Sequence, residues 1–192
     1  MKLKSYLFIV CLVIHPVIFA NTAYADQVGD KAKFDKCLPK AEAGDPFCQE
    51  LIGEFYVFGY GGVTQDYAKA VFWYRKAAEQ GYVDAQFNLG LMFAKGEGVP
   101  QDYAQALVWY RKAAEQGDAE AQNNLAIIYY NGEGVPQNQF NAYILFSLGA
   151  VSGDSGKVNN RDLIAAKLTA AELAEAQKLV GSWKVGTKLP LR

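Results

Sequence analysis

The residues DYAKAVFWYRKAAEQG (66–81) and DYAQALVWYRKAAEQG (102–117) decide how this chain is read. The two stretches lie thirty-six residues apart and differ at three positions. A catalytic constellation is needed once, whereas stacked layers need the same packing surface in every layer. Aligning the surroundings gives three units of about thirty-six residues, 48–84, 85–120 and 121–156. The first is one residue longer, because Tyr60-Gly61-Gly62 replaces the spacing of Glu97-Gly98.

In the middle unit Ala85, Leu89 and Phe93 recur at i, i+4 and i+8, one stripe of a helix. Gly90 lies beside that stripe and lets another helix approach closely, at a propensity cost of about 1 kcal/mol. Gly96-Glu97-Gly98 stops the helix, since glycine tolerates the positive φ of a helix end, and Val99-Pro100 carries the chain round. Asp102 is placed to cap the second helix, with Gln105 three residues on to complete a capping box. That helix is expected to bury Ala106, Trp109, Tyr110, Ala113 and Ala114 before Gly117 closes it. A helix pair of this kind cannot cover its own faces, so stability requires about three stacked copies.

The ends are different. Lys2 and Lys4 precede an apolar run over 6–20, and Ala23-Tyr24-Ala25 offers the small-x-small pattern of signal cleavage. We read 1–25 as a cleaved signal peptide, with a retained N-terminal anchor as the alternative. The protein is then periplasmic or secreted, with no membrane contact after cleavage. Removing Lys2 and Lys4 leaves seventeen basic against twenty acidic residues, a net charge of −3, which gives no electrostatic reason for a nucleic-acid partner. About 167 residues remain, enough for one domain, and no Ser/Gly/Pro-rich linker divides them. Cys37 and Cys48 remain in an exported chain, which favours a disulfide over two unpaired core cysteines. Closing a loop of about a dozen residues contributes on the order of 3 kcal/mol.

Catalytic arrangements fare poorly. The single histidine, His15, leaves with the signal segment, so no Ser-His-Asp or Cys-His machinery can be assembled and no histidine zinc site. Asp66 and Asp102 recur as helix caps. Glu50 and Glu54 lie one turn apart and read as a solvated face before they read as an acid–base pair. The glycine turns lack the Gly-Lys-Ser/Thr ending of a phosphate loop. We therefore expect neither an enzyme nor a cofactor.

The pattern Ala-x3-Leu-Gly-x2-aromatic, Gly-x-Gly-Val, Asp-x3-Ala-x2-Trp-x3-Ala-Ala-x2-Gly resembles the Sel1-like repeat, a relative of the tetratricopeptide repeat. The likeness covers about 48–156. It implies an all-α, right-handed α-solenoid that serves as a protein-interaction scaffold. The organisation expected is 26–47 as a degenerate N-terminal helix, 48–156 as three repeats and 157–192 as C-terminal capping helices and tail. Cysteine-rich relatives brace adjacent helices with a disulfide at similar places, usually with shorter spacing than Cys37 to Cys48; Pro39 lies in the extra residues and would distort the helix.

In tetratricopeptide-like solenoids a second stripe of each first helix lines the concave groove. In the middle copy these positions are Phe87, Leu91, Ala94 and Lys95, about 200° round the helix from Ala85. Carried across, they become Glu50, Glu54 and Phe58 in the first copy and Glu120, Asn123, Ile127 and Tyr130 in the third. Such a groove has an acidic end, an apolar middle and an amide-and-aromatic end, and would suit a peptide with a basic portion and an apolar anchor. The same side chains would also serve simply as packing between helices. Gln122, Asn123 and Asn124 raise an envelope polysaccharide as the alternative ligand, and a cell-wall hydrolase ranks below both.

The third copy departs from the other two. Ser147-Leu148 replaces the Arg-Lys of 75–76 and 111–112, and Val151 replaces Glu79 and Glu115. These positions are expected to be covered by a last helix that opens with Thr169-x2-Glu172 and carries Leu173, Ala176, Val180 and Trp183 at helical spacing.

Overall fold

The computed structural model describes residues 27–152 and 155–192; the segment read as a signal peptide, with His15, lies outside them. Nine α-helices and no strand occur among the described residues: α1 (Gln27–Glu42), α2 (Pro46–Phe58), α3 (Tyr67–Glu79), α4 (Val83–Lys95), α5 (Tyr103–Glu115), α6 (Ala119–Asn131), α7 (Gln139–Gly149), α8 (Ser155–Ala165) and α9 (Ala170–Ser182). Three hairpins, α2/α3, α4/α5 and α6/α7, make up the repeats. Each is joined to the next by packing of its second helix on the following first helix, and α1 precedes them against α2.

Capping fixes where each helix starts. The carboxylate or carboxamide oxygens of Asp66, Asp102 and Asn138 accept from the backbone N–H three residues on, at 3.0 Å in each case. The reciprocal Gln105 bond of a full capping box is not part of the Asp102 cap; the complete box forms at α9 between Thr169 and Glu172. First helices end on glycine, and Gly96 has φ +73°.

The recurring small residues set the spacing of layers. Ala85, Leu89, Ala106, Ala113 and Ala114 are completely buried, with Trp109 and Tyr110 filling the space beside them. Gly90 faces the ring of Tyr110 so closely that a Cβ would lie 2.7 Å from Cδ1, and Gly53 meets Tyr74 in the same way at 2.6 Å. Gly98 serves the inter-repeat contact: any side chain there would collide with the backbone of Tyr67 and Ala68 at the start of α3.

A glutamine ladder ties the layers together. Gln49, Gln86 and Gln122 are buried, and each donates Nε2–H to a carbonyl of the preceding helix, at Ala41 (3.0 Å), Ala78 (3.2 Å) and Ala114 (3.0 Å). Gln80 and Gln116 then donate to the side-chain oxygens of Gln49 and Gln86 at 2.7 and 2.8 Å. Buried amides satisfied on both sides rigidify a layered core and make its register specific.

At the N-terminal end Cys37 and Cys48 are joined in a disulfide, with Cα atoms 5.1 Å apart. The bridge sits in a small separate core with Phe34, Ala41, Ile52, Phe55 and Trp73. Pro39 does not break α1, which runs on to Glu42 with Ala43 N–H donating to the Pro39 carbonyl at 3.0 Å. Helix packing on α2 continues through the proline and brings the two cysteines together.

The C-terminal end corrects two expectations. Leu148 is buried, but Val151 is 83% exposed, in the short 3-10 turn Ala150–Ser152 that leads the chain away from α7. Trp183 is not on the helix: α9 ends at Ser182, and Trp183 is its extended, half-buried C-cap, donating Nε1–H to the Thr187 carbonyl at 3.3 Å. Helix α8 takes the position of a fourth first helix on α7, whereas α9 lies mainly on α7 and buries Ala176. Residues 184–192 then run back over the repeats, with Gly186 N–H donating to the Glu115 carbonyl at 2.7 Å.

Candidate functional site

The first helices of the three hairpins carry the residues expected to form a groove. At the α2 end Glu50 is buried, Glu54 is half-buried and Phe58 is exposed, its ring stacked on Tyr60 at 5.6 Å. Glu50 is therefore not an open surface carboxylate. Its Oε1 accepts from Asn88 Nδ2–H of α4 at 3.1 Å, a contact between repeats. Burial, with the charges of Glu54 and Asp84, pushes its pKa up to about 8, against the opposing Asn88 hydrogen bond. Burial and Asp84 raise Glu54 as well. Near-neutral pH thus finds Glu50 holding a proton that an exposed glutamate would have released.

In the middle Phe87 is half-buried and tilts against Tyr110, ring centroids 5.9 Å apart. Leu91, Ala94 and Ile127 are also half-buried, and Lys95 is exposed. Leu91, Lys95 and Ile127 come together with Tyr103, Tyr110 and Asn124 around a cleft of about 190 Å³ between α4 and α6. Its walls are mainly aliphatic and aromatic, and Lys95 and Glu133 add charge of both signs. The stripe therefore packs between helices and also borders a cleft. Phe87 supports the core, while Leu91 and Ile127 also border open space.

At the third repeat, Tyr130 accepts a hydrogen bond from Lys167 at 2.6 Å, and the same ammonium lies 4.6 Å from the ring centroid. Glu120 accepts from Lys157 of α8 at 2.5 Å. The chain's own C-terminal elements thus engage this end. Asn123 Oδ1 is buried with no hydrogen-bond partner in the structure. Gln122, grouped by sequence with the asparagines, is consumed by the ladder and presents nothing to a ligand.

The arrangement contains no group of three or more His, Cys, Asp or Glu side chains placed to hold a metal among the described residues, and no described helix is long and apolar enough to cross a membrane. Sequence reasoning placed Leu91, Lys95 and Ile127 on one stripe and named Asn124 only among amides for a polysaccharide, but missed Tyr103. Tyr103 opens a second helix, outside the first-helix stripe from which the groove is read. It also missed the glutamine ladder, although glutamine at the same phase in all three copies was the available signal.

Comparison with known proteins agrees with this geometry. The Sel1 repeat model matches residues 46–82, 83–118 and 119–154, each spanning one helix hairpin. Among solved structures, a Sel1 repeat protein from Oxalobacter formigenes is 31% identical with a TM-score of 0.65, over 77% of this chain and 61% of that one. The protein c5321, a protective antigen present in uropathogenic Escherichia coli strains and displaying an SLR fold, is 31% identical with a TM-score of 0.58, over 77% of this chain and 39% of that one. Over 59 residues the chain is 39% identical to the ERAD-associated E3 ubiquitin-protein ligase component HRD3B of Arabidopsis thaliana, and 36% identical to HRD3A. That stretch is 31% of this chain and only 9% of either plant protein.

Proposed function

The chain belongs to the Sel1 repeat family, and from that premise we propose that it is an exported, non-catalytic adaptor that holds a protein or peptide partner on its first-helix face. Sel1 repeats generally mediate protein–protein interaction. The observation that carries the reading is the cleft between α4 and α6, where Leu91, Lys95 and Ile127 meet Tyr103 and Tyr110. These first-helix positions differ between the copies, while the second helices α3 and α5 repeat nearly unchanged. An apolar floor with charge at its edge suits a short segment that inserts one aliphatic or aromatic side chain and pairs a flanking charge.

The test is site-specific photo-crosslinking in living cells of the source organism, with the probe at Leu91 and a control at the exposed Arg111 of α5. A discrete protein adduct at Leu91, absent at Arg111, is expected. Alanine at Phe87 and Leu91 should weaken capture at least tenfold with helix content retained. Cells that export folded protein yet give no adduct at Leu91 would remove the groove. Sedimentation with isolated cell wall would then decide for or against an envelope polysaccharide. Turnover of wall material that disappears in Glu54→Gln would establish a hydrolase instead.

A further inference from the structure

A second surface, on the second helices and away from the cleft, is occupied by the chain itself. Residues 184–192, KVGTKLPLR, contact α5 and α7, turning at 184–187, where Thr187 N–H donates to the Lys184 carbonyl at 3.1 Å, and again at 189–191, where Leu191 N–H donates to the Leu189 carbonyl at 2.9 Å. The contacts of Arg192 are those of a bound peptide. Its backbone N–H donates to Asn141 Oδ1 at 3.0 Å, and its main-chain oxygen accepts from Asn141 Nδ2–H at 2.7 Å and from Asn138 Nδ2–H at 3.3 Å. Its guanidinium stacks 3.5 Å from the centroid of Phe140 and pairs with Glu172 at 3.2 Å and Glu175 at 3.3 Å. Three residues earlier Leu189 is buried, and its N–H donates to Glu115 Oε1 at 3.3 Å.

These receiving residues belong to the third copy alone. Positions equivalent to Phe140 and Asn141 are Ala68 and Lys69 in the first copy and Ala104 and Gln105 in the second, all four exposed. With the strap in place Asn141 is only 1% exposed, and both its donor and its acceptor are engaged by the Arg192 backbone. The strap itself is weakly rooted. Residues 184–188 are exposed, Leu189 is its one buried side chain, and the arginine side chain that ends it is 48% exposed. Segments with so little burial open locally at small cost, while α7 stays fixed in the core.

We propose that Asn138, Phe140 and Asn141, with Glu172 and Glu175, form a second peptide-binding site for a Leu-x-x-Arg segment with a tight turn after its leucine, held in cis by residues 189–192 and open to a partner's segment of the same chemistry. The carboxamide reads the backbone, the ring and the two carboxylates read the arginine, and the Leu189 pocket sets the spacing. The site is independent of the cleft between α4 and α6.

Full-length Leu189→Asp releases the strap by its only buried anchor and leaves the receiving residues intact. A fluorescein-labelled KVGTKLPLR peptide should bind this variant at least tenfold more tightly in fluorescence anisotropy than the native chain, where the tethered copy competes at roughly millimolar effective concentration. Adding Asn141→Leu should abolish the gain, and a peptide with glutamate for the arginine should bind at least tenfold more weakly. Hydrogen exchange on the native chain guards against a variant that fails to fold: the Gly186, Leu189 and Arg192 amides should exchange through local opening, at least a hundredfold faster than those of α7. No saturable binding to folded Leu189→Asp, binding indifferent to Asn141→Leu, or strap amides that exchange only with global unfolding would each overturn the proposal.

Discussion

Glu50 shows how one position departs from its repeat equivalents. Phe87 and Asn123 occupy the same phase in the later copies, yet the first copy places a carboxyl there, buried between α2 and α4. Facing it are Glu54 on its own helix and Asp84 and Asn88 on α4, while Tyr74 of α3 and Tyr82 before α4 have their phenol pKa raised by burial first and by these carboxylates second. The folded pKa of about 8 lies above the ordinary 4.5, so folding favours the protonated form. The sign follows: the Glu50 contribution to stability is most favourable below pH 4.5, falls as the unfolded chain ionises, and reaches its lower plateau above pH 8. Glu50→Gln keeps an acceptor for Asn88 and removes the titration. We expect it to stabilise the protein by about 1–2 kcal/mol at pH 8 and to leave it nearly unchanged at pH 4. Urea unfolding at the two pH values checks this; equal effects at both would mean that Glu50 is charged in the folded state.

At the scale of elements, local propensity and packing conflict at one place in each of the first two hairpins, and packing decides. Gly90 sits in the interior of α4, where alanine would raise helix propensity by about 1 kcal/mol. The Tyr110 ring occupies the space that a Cβ requires, 2.7 Å away, and the ring is itself buried between layers. Gly90→Ala should therefore lower stability by about 1–3 kcal/mol in thermal denaturation, the cost of overpacking exceeding the propensity gain. A variant with an equal or higher melting temperature would show that Tyr110 moves aside freely. The third copy has Ala126 and Phe146 at the corresponding places, both buried, so the hairpin can be built with a Cβ there when its surroundings are changed to match. At the C-terminal end α9 abandons the hairpin pattern and settles on α7. Expected coverage reached Leu148 but not Val151, because the chain turns away through 150–152 before α8 begins.

As a whole, the molecule is a stack in which each layer touches its neighbours, so a perturbation at one end should stay there. Reducing the Cys37–Cys48 bridge frees α1 and its small core while the main core over α3–α9 is untouched. Loss of amide protection in α1 and the start of α2, with α4–α7 unchanged, is the expected exchange pattern under reductant; the bridge closes a separation of 11 residues and contributes about 3 kcal/mol. Uniform loss of protection would mean that the stack unfolds as one unit. The repeating phrase by itself determined the all-helical stack, the three hairpins, the caps at Asp66 and Asp102 and the buried Ala/Trp/Ala-Ala faces, because periodicity and small-residue spacing are local properties repeated in register. It also placed Leu91, Lys95 and Ile127 on one side. Only the tertiary structure decided that Glu50 is buried, that Gln122 is consumed by a ladder, that Tyr103 joins the cleft, and that residues 189–192 return to Asn141. The ladder recurs in every copy, but its periodic glutamines do not by themselves say that they are buried, and the other outcomes depend on which unlike residues meet across layers or over fifty positions of sequence, meetings that happen once.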